Sequence, residues 1–84
     1  MIPFEFNFHG EVSNGNYYAI ENEYGCIKVF FFDHSAVILR SGIQTKAKKE
    51  IWVQHVHHGA PVWPDELIQA LGEGIDSING SRLP

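Results

Sequence analysis

The residues best suited to chemistry in this 84-residue chain are the histidines of His55-Val56-His57-His58. If the strand that precedes them continues, His55 and His57 project from one face. His-x-His on a strand is good geometry for one zinc or similar ion. A third ligand would have to come from His9, His34, Cys26 or a carboxylate, and His58 points the other way. Two ligands do not make a site, and an exposed strand end before a turn explains the same residues. Metal binding or His-dependent chemistry at His55 and His57 is therefore the second reading, and no cofactor is expected.

Nucleophilic catalysis has less support. Cys26 opens an apolar strand, where a lone cysteine is usually a small buried hydrophobe. Asp33, His34 and Ser35 are triad residue types, but adjacency in sequence is not triad geometry, and turn chemistry explains them better. A domain this small rarely encloses a substrate pocket of several hundred Å³. The expectation is a protein that is not an enzyme.

Charge points to binding. The formal net charge is −4. Residues 1–25 carry Glu5, Glu11, Glu21 and Glu23 with no Lys or Arg, and Asp65, Glu66, Glu73 and Asp76 follow near the C-terminus. The cations gather mostly between Arg40 and Lys49. Nucleic acid needs a basic face to release counterions, so no direct nucleic-acid contact is expected; Lys46-Ala47-Lys48-Lys49 reads as a solvated loop. Glu11, Glu21 and Glu23 lie at or beside the turns joining the first three strands. Glu11 and Glu21 are expected to approach each other across the first hairpin. With Tyr17 or Tyr18 as an aromatic anchor they would form an acidic rim suited to a protein partner with a basic surface.

The elements that must hold these groups are legible as alternation. Strand one runs from Ile2 to Val12, with Phe4, Phe6 and Phe8 on one face at period two. Asn14-Gly15 within residues 13–16 predicts a hairpin turn, because both residues tolerate positive φ. Strand two is Tyr17 to Glu21, and the next turn ends at Gly25. Strand three, Cys26 to Phe32, is apolar on both faces except at Lys28, which predicts a central strand covered on both sides. Strand four is Ala36 to Arg40, followed by a polar connection, Ile43 to Lys49. Strand five is Glu50 to Val56. A helix starts near Pro64, with Asp65 and Glu66 in its first turn and one apolar stripe of Leu67, Ile68, Leu71, Ile75 and Ile78. Gly72 and Gly74 each cost about 1 kcal/mol in a helix, so the helix either packs very closely there or weakens after Leu71.

The fold class is thus α+β: about five antiparallel strands in a meander, one domain over residues 1–84, with one C-terminal helix packed on a face. The three-phenylalanine face of strand one is the expected seat of the helix. One cysteine permits no intramolecular disulfide, the N-terminus lacks a signal-peptide pattern, and no apolar run is long enough to span a membrane, so a cytoplasmic protein is expected. Strands one and five are candidate edges with no proline inside to block pairing, which predicts a homodimer.

The segment Phe31-Phe32-Asp33-His34-Ser35-Ala36-Val37-Ile38-Leu39-Arg40-Ser41-Gly42 resembles a hairpin of small phage-encoded proteins, among them an acidic anti-CRISPR protein. The resemblance covers twelve of the 84 residues and carries no catalytic residue. It implies a small anti-CRISPR-like inhibitor that binds a larger host nucleoprotein complex in the host cytoplasm. The modest net charge and the basic residues 40–49 set the chain apart from acidic DNA mimics. Together these features point to a non-enzymatic protein-binding module.

Overall fold

The computed structural model of the chain describes residues 1–21, 25–44, 46, 49–56 and 58–80, with side chains through 78. Alternation produces five strands, β1 (Ile2–Phe8), β2 (Glu11–Ala19), β3 (Ile27–Phe31), β4 (His34–Gln44) and β5 (Glu50–Gln54), followed by one helix, α1 (Asp65–Gly80). Each strand pairs antiparallel with the next, in the order β1-β2-β3-β4-β5. This is the expected α+β meander with a C-terminal helix.

The first hairpin differs from the sequence expectation. Its turn is His9-Gly10, not residues 13–16, and Phe8 pairs directly with Glu11. His9 and Gly10 have φ of 53° and 80°, the double positive φ that a two-residue primed turn requires. Asn14 and Gly15 lie inside β2 instead. Gly15 is opposite Phe4, and a Cβ there would sit 2.8 Å from the Phe4 ring and 2.7 Å from the Phe30 carbonyl oxygen. Glycine at 15 makes room for an aromatic ring lying across the strand; it does not turn the chain.

Other boundaries shift for equally local reasons. Phe32 and Asp33 form the β3–β4 turn, so His34 and Ser35 belong to β4. β4 runs on through Ile43 and Gln44. Gly42, at φ 84°, sits where the register slips between Arg40 and Gln44, as a glycine bulge does. β5 stops at Gln54, short of the expected Val56.

α1 begins where Pro64 offers its carbonyl to the Leu67 and Ile68 amides. Its stripe is the core cover: Leu67, Ile68, Leu71 and Ile75 are buried, and Ile78 packs against them. Burying each of these side chains is worth about 1.5–3 kcal/mol. The helix lies against β1, β5 and β4, so the curled sheet brings its two edge strands to the same helix. The two costly glycines are the contact points. A Cβ at Gly72 would overlap the Trp52 indole, and one at Gly74 would overlap the Glu5 carbonyl oxygen. The helix therefore packs very closely and does not weaken after Leu71.

The β5 edge is capped by side chains. The Gln69 side chain accepts the Trp52 amide at 2.9 Å and donates to the Glu50 carbonyl at 2.9 Å, standing in for a sixth strand beside β5. Gln54 donates to the Pro61 carbonyl and accepts the Trp63 amide, both at 2.9 Å, which ties the 61–63 segment to the end of β5. On the opposite edge the Glu5 carbonyl points at Gly74, and Pro3 brings no amide donor.

Candidate functional site

One face of the sheet has a helix and the other has none. Register assigns the faces: Phe4, Gly15, Phe31 and His34 share the inner face, as do Tyr17, Val29 and Ala36, and Arg40 with Trp52. The residues between them point outward. On that outer face Tyr18, Lys28 and Val37 form one row, Asn16, Phe30 and Ser35 a second, and Leu39 with Val53 a third. Ile51, next to the inward Trp52, also faces out. The outer face is divided. Its β1–β2 half carries Glu5, Asn7, Asn14 and Asn16, with Val12 beside Asn7, all exposed. Its other half is mostly apolar: Tyr18 is 42% and Val53 39% exposed, Phe30, Leu39 and Ile51 are half-buried, and Val37 is buried. The Tyr18 and Phe30 rings stack at 6.1 Å and 29°, and the Lys28 ammonium lies 6.0 Å from the Phe30 centroid.

Strand three was expected to be covered on both sides. It is central, but among the described residues only its inner face is covered. The sequence signal was present in the two-faced apolarity of β3; what was missing was the number of helices available to cover it.

The residues singled out for partner binding do not assemble as expected. Because the first turn is at His9-Gly10, Glu11 opens β2 and Glu21 lies just past its other end. About 30 Å of extended strand separates them. Tyr17 is a core residue, 7% exposed and edge-to-face with Phe4 at 5.7 Å. Tyr18 is the tyrosine of this pair that faces solvent. Glu23 lies outside the described residues. No acidic rim across the first hairpin is formed, and Tyr18 belongs instead to the apolar outer face.

The histidines sort by topology. His9, His34, His55 and His58 all fall in or beside connections at the end of the sheet where α1 begins. His9 lies 3.8 Å from the Glu66 carboxylate, and the His34 ring sits 4.8 Å from Trp63, whose indole also meets Phe31 edge-on at 5.2 Å. The Trp63 indole nitrogen is buried with no hydrogen-bond partner among the described residues. β5 ends at Gln54, before His55, and His57 lies outside the described residues. Among the described residues no three His, Cys, Asp or Glu side chains are placed to hold a metal ion. His34 and Ser35 are successive strand residues on opposite faces, so Asp33, His34 and Ser35 do not converge.

The remaining polar groups serve the fold. Asp76 accepts the Trp52 indole N–H at 3.1 Å and pairs with Arg40, whose guanidinium lies 4.5 Å over the same indole. Lys49 reaches Glu73 at 3.5 Å, and Glu73 accepts from Gln69 at 3.0 Å. An open cleft of about 400 Å³ beside α1 is lined by these same paired groups. Among the described residues no helix is long and apolar enough to cross a membrane. No protein-family model, curated protein or solved structure matches the chain.

Proposed function

We propose that this chain is a non-enzymatic protein-binding module that acts by docking through the helix-free face of its sheet. The observation that carries the reading is the apolar half of that face, from Tyr18 and Phe30 across Leu39 to Val53, in a chain whose single described helix is committed to the other side. Tyrosine and other large apolar side chains are the usual anchors of such interfaces. The acidic balance of the chain favours a partner with basic character around the contact, and the polar half of the face, with Glu5, would meet it. The resemblance at residues 31–42 supports a more specific form of the same reading, an anti-CRISPR-like inhibitor of a host complex. That segment supplies Val37 and Leu39 to the outer face.

The test compares captures from the native cell by wild type, by the double variant Tyr18→Asp with Val53→Asp, and by a control variant Ser77→Asp on the exposed side of α1. Quantitative mass spectrometry should show a partner retained by wild type and control and lost by the double variant, with all three proteins melting alike. Identical captures from wild type and the double variant would remove the outer face from consideration. A homodimer through this face would show as retention of the chain itself.

A further inference from the structure

We propose that the exposed edge of β1 accepts an added strand, an extended basic segment of a partner protein lying in the groove between β1 and α1. The inference goes beyond the docking reading above and concerns a separate surface. Backbone chemistry carries it. The two-residue turn at His9-Gly10 makes Phe8 and Glu11 a hydrogen-bonded pair. Alternation from that pair turns the amides and carbonyls of Phe4, Phe6 and Phe8 to β2, and those of Glu5 and Asn7, with the Pro3 carbonyl, away from the sheet. Pro3, Glu5 and Asn7 are all exposed. Among the described residues no hydrogen bond occupies their outward groups. The Glu5 carbonyl is faced by Gly74 of α1. The Pro3 and Asn7 carbonyls and the Glu5 and Asn7 amides remain, a row of donors and acceptors that an extended backbone satisfies. On β5 the Gln69 side chain already makes such bonds, so the two edges differ.

Space and charge specify the occupant. Two open clefts, of about 300 Å³ and about 440 Å³, lie along this edge and meet at Glu5 and Gly74. Asn7 and Ala70 border the first, and Pro3 and Ile78 the second, so the groove follows β1 with the flank of α1 as its wall. Glu5 and Glu73 are the charged residues that line it, with no Lys or Arg. Glu73 is met by Lys49 and Gln69, whereas Glu5 has no ion pair among the described residues. A residue opposite Glu5 on an added strand shares its face, where a lysine or arginine makes a favourable cross-strand pair. A second copy fits this edge poorly. The symmetric antiparallel pairing that spans Pro3 to Asn7 centres on Glu5 and sets two carboxylates directly opposite each other. It also needs the Glu5 carbonyls that face Gly74, and it leaves each Asn7 carbonyl opposite Pro3, which has no N–H.

The probe is a blocked peptide, Thr-Lys-Val-Lys-Val-Lys-Thr, beside a version with Glu for each Lys and a version N-methylated at alternate residues. The readout is amide exchange of the full chain by NMR. At about ten times its dissociation constant the Lys peptide should slow exchange of the Glu5 and Asn7 amides roughly tenfold. The N-methylated peptide should not, the Glu peptide should bind more weakly, and Glu5→Lys should reverse that preference. Asn7→Pro repeats at position 7 what Pro3 does at position 3. It should melt like wild type, because the Asn7 amide is outside the β1–β2 ladder, and should lose the Lys peptide. No slowing at Glu5 and Asn7, equal slowing by the N-methylated peptide, or equal affinity for the Lys and Glu peptides overturns the proposal. So does a chain that sediments as a dimer with both amides protected before peptide is added, which would assign the edge to a second copy. Tyr18→Asp with Val53→Asp leaves this edge intact and should bind the Lys peptide like wild type, so failure here and failure of outer-face docking are read separately.

Discussion

The two faces of this sheet are built from the same alternating strands and have different fates. On the inner face the large side chains join the α1 stripe in one core, and Phe6, Val29, Phe31, Ile38 and Trp52 are no more than 2% exposed. On the outer face Val37 is buried, but Tyr18, Phe30, Leu39 and Val53 stop at partial burial. The difference lies in what covers each face, not in residue type. The inner face is specified in detail: two helix glycines match an indole and a strand carbonyl, and a glutamine side chain completes a strand edge. The outer face shows no such fitted cover among the described residues.

Substitutions can break or sharpen this contrast, and they rank by face. The largest effect is expected from Leu71→Asp, because Leu71 is fully buried at the centre of the helix stripe. Burying an unpaired carboxylate costs several kcal/mol, close to the whole stability of a domain this size, about 5–10 kcal/mol. Circular dichroism at 25 °C should show an unfolded chain, and a folded one would mean that α1 is not docked there. Gly72→Ala comes next and tests a sign. On an exposed helix it would stabilise by about 1 kcal/mol. Here the new methyl overlaps Trp52, and overpacking should instead lower stability by about 1–3 kcal/mol, read from the urea midpoint. A raised midpoint would show that the helix and β5 are not in contact.

Gln69→Ala should cost roughly 1–2 kcal/mol, since it leaves the Trp52 amide and the Glu50 carbonyl without their partner. It should also speed hydrogen exchange at the Trp52 amide and, by opening an edge strand, promote self-association as concentration rises. An unchanged exchange rate would show that the amide cap is not made in solution. The smallest effect is expected on the outer face. Tyr18→Ser and Val53→Thr should each change stability by no more than about 0.5 kcal/mol. A loss comparable to that of Gly72→Ala would mean that this face is buried in the folded chain, and the contrast between the faces would fail.

Much of the fold could be read from sequence because the relevant repeats are local. Period-two alternation in Phe4-Glu5-Phe6-Asn7-Phe8 and helical spacing from Leu67 to Ile78 fix which side chains share a face, whatever they later pack against. The central place of β3 and the seat of α1 on the phenylalanines of β1 followed from that patterning. The candidate interface was less legible. Tyr17 and Tyr18 are successive strand residues and so face opposite ways, but which of them faces the core depends on the side taken by α1. Glu11 and Glu21 were misplaced together, through a single misread turn.

That turn shows where local information ends. Gly10 and Gly15 are the same residue in similar polar surroundings, and Asn14-Gly15 is the stronger turn pattern. A glycine is required either where φ must be positive or where a side chain must be absent, and only its neighbours in space decide which. At Gly10, φ is 80° and nothing lies within 4 Å of where a Cβ would be; at Gly15 the Phe4 ring and the Phe30 carbonyl occupy that space. The sequence by itself determined the alternation, the helix and the surplus of apolar residues on β3. The tertiary structure alone decided the register, the capping of the β5 edge by side-chain amides, and which apolar face was left open, because each of these depends on contacts between segments far apart in the chain.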